Sequence, residues 1–172
     1  ALNLAIKGLL RQGDHVLISA LEHNAVRRPI CALAAKGKIT FDVFPVFGLT
    51  QDELLSHLAQ KLTPNTRAVV CTHASNICSI VLPIAEIGAI CREKGVLFHT
   101  DAVQAIGHMK IDVKDMNIDM LSMSGHKFHA PKGIGVLYIH KGVRLQQFMN
   151  GGAQERSKRA GTENLACIVG IG

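Results

Sequence analysis

Ser124-Gly125-His126-Lys127 closes a β-rich run, Met120-Leu121-Ser122-Met123-Ser124, and is followed by Pro131-Lys132-Gly133-Ile134-Gly135. A lysine at a strand end, beside a Ser and a His able to donate hydrogen bonds, suits an amine that forms an imine near a phosphate. The plainer alternative is an exposed loop lysine, since loops that follow strands are rich in both lysine and glycine. Asp101 closes the run Val96–Thr100, and Gln104 follows three residues on. A carboxylate at a buried strand end can keep a pyridine-type ring nitrogen protonated, and an amide nearby can donate to a phenolic oxygen of the same ring. Asp101 is equally suited to capping the amides of the segment that follows it. His23, in Glu22-His23-Asn24-Ala25-Val26, stands between a strand and a helix, where an imidazole either stacks on an aromatic ring or serves the turn. Asn76 is either ligand-facing or an ordinary turn residue.

Nine His raise the question of a metal. Cys71 and His73, and His99 and Asp101, are spaced two apart, which at strand period puts each pair on one face. There is no His-Glu-x-x-His, no paired CxxC and no third ligand at a recognised spacing, so no metal is expected. A Walker lysine motif and a Gly-x-Gly-x-x-Gly are also missing, which leaves nucleotide binding without support.

The elements that must position these residues alternate. Helices are expected at Leu2–Arg11, Asn24–Lys36, Gln51–Leu62 and Ile84–Lys94, with another starting at Asn164. Strands are expected at His15–Ser19, Thr40–Pro45, Ala68–Thr72, Val96–Thr100, Met120–Ser124 and Val136–His140. That order implies an α/β fold, a mostly parallel sheet with crossover helices, whose ligand sits beyond the carboxyl ends of the strands. His23, Asn76, Asp101, Gln104 and Ser124 to Lys127 all follow strands, so four loops can converge on one site. Arg144–Thr162, rich in Gly and charge, reads as a long exposed excursion of the kind that carries function.

With 172 residues and 48% hydrophobic content, one domain spanning 1–172 is expected. The apolar runs fall far short of the roughly 18 residues of a membrane span. Five Cys without paired spacing point to a reducing cytoplasm, with Cys31, Cys71, Cys91 and Cys167 as small buried hydrophobes. The net charge of +6 is dispersed and aromatics are only 4%, so no nucleic-acid partner is expected. Leu2–Leu10 reads as a helix entered part-way and Cys167–Gly172 as another broken off, which suggests a longer parent chain.

Three motifs are the most specific: His99-Thr-Asp-Ala-Val-Gln-Ala105; Ser122-Met-Ser-Gly-His-Lys127 with Pro131-Lys-Gly-Ile-Gly135; and Gly151-Gly-Ala-Gln-Glu-Arg through Arg159-Ala-Gly-Thr-Glu-Asn164. In this order and spacing the chain resembles the NifS-like cysteine desulfurases, in the class V aminotransferase group of fold-type I pyridoxal-phosphate enzymes. The resemblance runs over nearly all of 1–172 and implies the large cofactor-binding domain of such an enzyme. It makes Lys127 the catalytic lysine that holds pyridoxal 5'-phosphate as an imine and shuttles a proton. Asp101 would pair with the ring nitrogen, Gln104 with the ring hydroxyl, and His23 would stack on the ring with a part in catalysis. Ser124 and His126 would bind the phosphate, Asn76 would stand near the ring and the substrate carboxylate, and Thr162 would reach the phosphate of a neighbouring subunit in a homodimer.

The implied reaction turns L-cysteine into L-alanine and leaves sulfur on an enzyme cysteine as a persulfide. A sulfur-acceptor or iron–sulfur scaffold protein would receive it. The acceptor cysteine and a carboxylate-binding arginine would lie beyond Gly172, and a phosphate-binding Gly-Thr segment just before Ala1. Alternatives on the same scaffold are a selenocysteine lyase or a class V aminotransferase. From another class the alternative is a non-catalytic partner-binding module, which has no chemical need for Lys127, Asp101 and Gln104 together. The chain departs from the family pattern after Asn76, where Ile77-Cys78-Ser79-Ile80 replaces a run with glycine, and at Ala130, where glycine is usual.

Overall fold

The computed structural model describes all 172 residues. In chain order the elements are α1 (Leu2–Leu9), β1 (His15–Ser19), α2 (Asn24–Ala35), β2 (Thr40–Phe44), α3 (Gln51–Lys61), β3 (Thr66–Thr72), α4 (Ile84–Lys94), β4 (Leu97–Asp101), β5 (Met120–Ser124), β6 (Gly135–Ile139), a single turn α5 (Gln154–Ser157) and α6 (Leu165–Val169). The strands form one sheet in the order β2-β1-β3-β4-β5-β6. All neighbours are parallel except β5 and β6, which pair antiparallel with Met120 opposite Ile139 and Ser124 opposite Gly135.

Helices cover both faces, so the central strands are buried throughout rather than alternating. Every residue of β1 is buried, and so is every residue of β3 except Arg67. The strand period sorts their side chains into two cores. Leu17, Val69, Cys71, Phe98 and Leu121 face α3 and α4, meeting Leu54, Leu58, Ile87 and Cys91. Val16, Ile18, Val70 and Met120 face α1 and α2, meeting Ile6, Leu9, Val26 and Ile30.

Local chemistry sets the helix ends. Thr50 and Glu53 form a reciprocal capping box on α3, the Thr50 hydroxyl accepting from the Glu53 amide at 3.3 Å and the Glu53 carboxylate accepting from the Thr50 amide at 2.8 Å. Gly95 ends α4 in the left-handed conformation, φ 66°. Inside α4, Gly88 is buried where the helix meets the Asp112–Ile118 turn: a Cβ there would lie 2.0 Å from the Met116 carbonyl oxygen. Helix propensity alone favours alanine by about 1 kcal/mol, but backbone cannot yield as a side chain does. Gly88→Ala is therefore expected to destabilise by about 3 kcal/mol, the upper end for overpacking, read as a lower urea midpoint at unchanged slope.

One expectation needs correction. Cys71 and Cys91 are buried, but Cys31 and Cys167 are only partly so: Cys31 lies off the buried face of α2 formed by Val26, Pro29 and Ile30, and Cys167 lies on α6, which buries none of its residues. Arg144–Thr162 is largely exposed, as expected, and it is tied down. The Gln146 amide donates to the Gly8 carbonyl at 2.8 Å, Met149 bridges to Arg159, and the Gly161 amide donates to Gln154 Oε1 at 3.2 Å. The turn α5 is left-handed, with φ of 50, 54 and 60° at Glu155, Arg156 and Ser157. No helix is long and apolar enough to cross a membrane.

Candidate functional site

The chain runs from β1 outward to β2, then back past β1 to β3 and on to β4 and β5. The loops leaving β1 and β3 therefore part in opposite directions, and a crevice opens at the carboxyl ends of these neighbouring strands, as at any such switch point. The cavity found there has a volume of about 370 Å³, within the range of small-molecule sites.

Its lining gathers almost every candidate. His23 comes from the end of β1, Thr72 and Asn76 from the end of β3, Asp101 and Gln104 from β4, and Ser124, His126 and Lys127 from β5. Thr162 is exposed and is not among the lining residues.

Each side chain is held by its element. Asp101, the last residue of β4, is 4% exposed. Its Oδ1 accepts from the Val103 amide at 3.1 Å, and no cationic side chain pairs with it. Burial holds its carboxyl above the usual range, against the Val103 amide and the field of His23. His23 caps α2, its Nδ1 accepting from the Ala25 amide at 3.1 Å. The neutral ring therefore carries its proton on Nε2. One strand position before Thr100, His99 is buried, and burial pushes its imidazole well down; its Nε2 meets the Ser122 hydroxyl at 2.9 Å.

After β5 the chain turns sharply through Gly125–Lys127. The Gly125 carbonyl accepts from the amides of Phe128 and Ala130, at 3.0 and 3.1 Å, and its own amide donates to Ile134 at 3.0 Å. A Cβ on Gly125 would lie 2.8 Å from the Ile134 side chain, so only glycine lets this turn close. The turn sets Ser124 Oγ 2.9 Å from His126 Nδ1 and leaves Lys127 exposed, paired with no carboxylate. The Asn76 loop is stapled at its base by the Ala74–Val81 bridge. Within it Ser79 has φ 55°, the left-handed backbone that glycine favours, where the chain departs from the glycine-containing run.

The model of the aminotransferase class-V family matches residues 1–172. The chain belongs to that family. Among other class-V proteins, it is 47% identical to the cysteine desulfurase IscS of Clostridium botulinum over 99% of its own length, and 44% identical to the one from Methanosarcina thermophila. It spans about 43% of the length of these curated relatives. In three dimensions it matches SspA in complex with cysteine, with a TM-score of 0.89 and 36% identity, covering 99% of this chain and 50% of that one. A NifS-like protein matches at 0.89 and 32% identity, with 48% of that chain covered. The expected α/β fold, a mostly parallel sheet of the fold-type I kind, is the one observed.

Two lining or supporting residues escaped the sequence reading. Thr72, at the end of β3, is an ordinary strand residue until its neighbours are known. Glu22 carried a weak signal, the spacing Ser19-x-x-Glu22 across a strand end, but its second partner is the amide of Thr72, fifty positions away.

Proposed function

We propose that residues 1–172 form the cofactor-binding large domain of a pyridoxal-phosphate-dependent cysteine desulfurase. The observation that carries this reading is the convergence of Lys127, Asp101, Gln104 and His23 on one cavity, with a buried carboxylate that has no cation of its own. A buried carboxylate is costly without a positive partner, and a protonated ring nitrogen supplies one. The donor set fits the rest of the group: Ser124 and His126 for a phosphate, Gln104 for a ring hydroxyl, the flat face of His23 for the ring, and Lys127 for the covalent bond. When bound, the cofactor supplies an electron-withdrawing ring that spreads charge developing at the α-carbon of an amino acid.

In this reading Lys127 holds the cofactor at rest and moves the α-proton of L-cysteine when released, while Asp101 keeps the ring nitrogen charged. His23, donor at Nε2, would stack on the ring and orient it. Asn76 sits by the substrate carboxylate, and Thr162 reaches across a homodimer interface to the phosphate site of the neighbouring subunit. The carbon–sulfur bond of L-cysteine breaks, L-alanine leaves, and an enzyme thiol takes the sulfur as a persulfide, to be passed on to an acceptor protein for iron–sulfur clusters or thio-cofactors in the cytoplasm. Cys71 and Cys91 are unsuited to be that thiol: burial pushes both up, Cys91 to about 12, so the nucleophilic thiolate is scarce. The acceptor is proposed to lie outside residues 1–172.

The test is covalent labelling. The full-length protein incubated with pyridoxal phosphate and reduced with borohydride is expected to carry one cofactor, on the peptide containing Lys127. A label on Lys132, or none, overturns the assignment.

A further inference from the structure

The carboxyl of Glu22 lies at the switch point itself, across the ends of β1 and β3. Its Oε1 accepts both from the Thr72 amide, at 2.8 Å, and from the Ser19 hydroxyl. The same hydroxyl accepts from the Leu21 amide at 3.2 Å, so the three groups splice the two strands where their loops diverge. Oε2 is sealed from solvent and has no hydrogen-bond partner. The next residue in the chain is His23, and Thr72 lines the cavity.

We propose that Glu22 is a positioning residue for the cofactor site, and that its carboxyl splices β1 to β3 in the neutral, protonated form so that Asp101 is the one anion at the cavity. The inference rests on the cofactor-site reading of the cavity. An ionised carboxylate needs donors or a cation at both oxygens, and no Lys, Arg or His pairs with Glu22. The titratable groups that act on it or feel it are Asp101 on β4 and Cys71 on β3, neither a cation, and the adjacent His23 makes no ion pair with it. A proton on Oε2 leaves one unmade hydrogen bond in place of a bare buried charge, and that is the cheaper of the two. Although Glu22 as a residue is only half-buried, its exposed part is not Oε2. Burial pushes its carboxyl up to about 8, with the Ser19 hydroxyl and Thr72 amide opposing and the charge on Asp101 adding.

Neutrality has a signature that needs no cofactor. A folded carboxyl whose pKa is raised keeps a proton that the unfolded chain gives up above about 4.5. The stability it contributes is full below that pH, declines as pH rises towards 8, and is level beyond. Gln retains the acceptor for Ser19 and Thr72 and cannot titrate. In urea unfolding of the cofactor-free, full-length protein, the midpoint of wild type relative to Glu22→Gln is therefore expected to fall steadily from pH 5 to 8. Parallel curves would mean that Glu22 is ionised and would overturn the inference, whatever the cofactor does. The positioning role is read separately, from pyridoxal phosphate affinity at pH 7. Glu22→Ala is expected to weaken it roughly tenfold, the loss from leaving one buried amide unpaired, and Glu22→Gln to restore it to within about threefold, a small fraction of that term. Equal affinities for the two variants would overturn the positioning role. Diverging curves in a protein that binds no pyridoxal phosphate would overturn the reading of the cavity and leave the neutral Glu22 standing.

Discussion

Lys127→Ala is expected to lower L-cysteine turnover by about 10³-fold or more, the combined loss of a covalent anchor and a general acid–base group, while leaving the fold intact. The structure separates these two effects. The Gly125–Lys127 turn is closed by backbone bonds to Ile134, Phe128 and Ala130, none of which involves the lysine side chain. Lys127 is exposed and pairs with no carboxylate, so truncating it leaves no buried group unsatisfied. Unfolding free energy should stay within about 0.5 kcal/mol of wild type, as for other surface changes. Alanine formation from L-cysteine and retention of the cofactor through gel filtration are the measurements. Activity within tenfold of wild type would move the role to another lysine, of which Lys132 in the same glycine-rich stretch is the first to test.

Much of this architecture is legible in the sequence, and the reason is burial. β1, β3 and β5 contribute to the cores on both faces of the sheet, so they appear as short apolar runs bounded by polar turns, which is how His15–Ser19 and Met120–Ser124 show their limits to the residue. β3 starts two residues earlier than its apolar run because Thr66 and Arg67 continue the strand, Thr66 opposite His15, without contributing apolar surface of their own. Asp101 and Lys127 are visible because each is a charged residue close behind such a run, and the strands of a parallel sheet deliver the residues at their carboxyl ends to one edge. Glu22 and Thr72 are not, since their pairing depends on which strands are neighbours, and strand order is not written in any local pattern. The left-handed turn at Glu155–Ser157 is invisible for a different reason. None of its residues is Gly or Asn, the types that announce positive φ, and the conformation is imposed by the bonds that close the Met149–Gly161 loop around it.

Asp101→Asn is expected to separate stability from activity in the opposite sense to a damaging core change. Asn preserves the side-chain oxygen that accepts from the Val103 amide at 3.1 Å, so the start of the Ala102–Ala105 turn, and with it Gln104, keeps its place. What is lost is the charge. In the cofactor-free protein that charge is a burden: burial raises the Asp101 carboxyl, and neither the Val103 amide nor His23 fully offsets it. A group whose folded pKa is raised withdraws stability as pH climbs from the unfolded value, near 3.8 for this side chain, through the folded one. The cofactor-free Asn variant should therefore gain on wild type as pH is raised from 4 to 7, and the gap should not reverse. With pyridoxal phosphate bound the balance inverts. In the proposed site Asp101 would then be the counter-ion of the ring nitrogen, and an opposite charge within about 4–6 Å favours the protonated form by roughly 1–3 pKa units. Losing it would remove a comparable share of the electron withdrawal on which the α-proton transfer proposed for Lys127 depends, so turnover should fall roughly 10- to 1,000-fold with the cofactor still attached to Lys127. The checks are urea unfolding of the cofactor-free protein across that pH range, cofactor content by absorbance, and alanine production. Turnover within about threefold of wild type, below the smallest loss those pKa shifts allow, would remove Asp101 from the chemistry. Cofactor and stability lost together would make it a structural cap of the turn after β4.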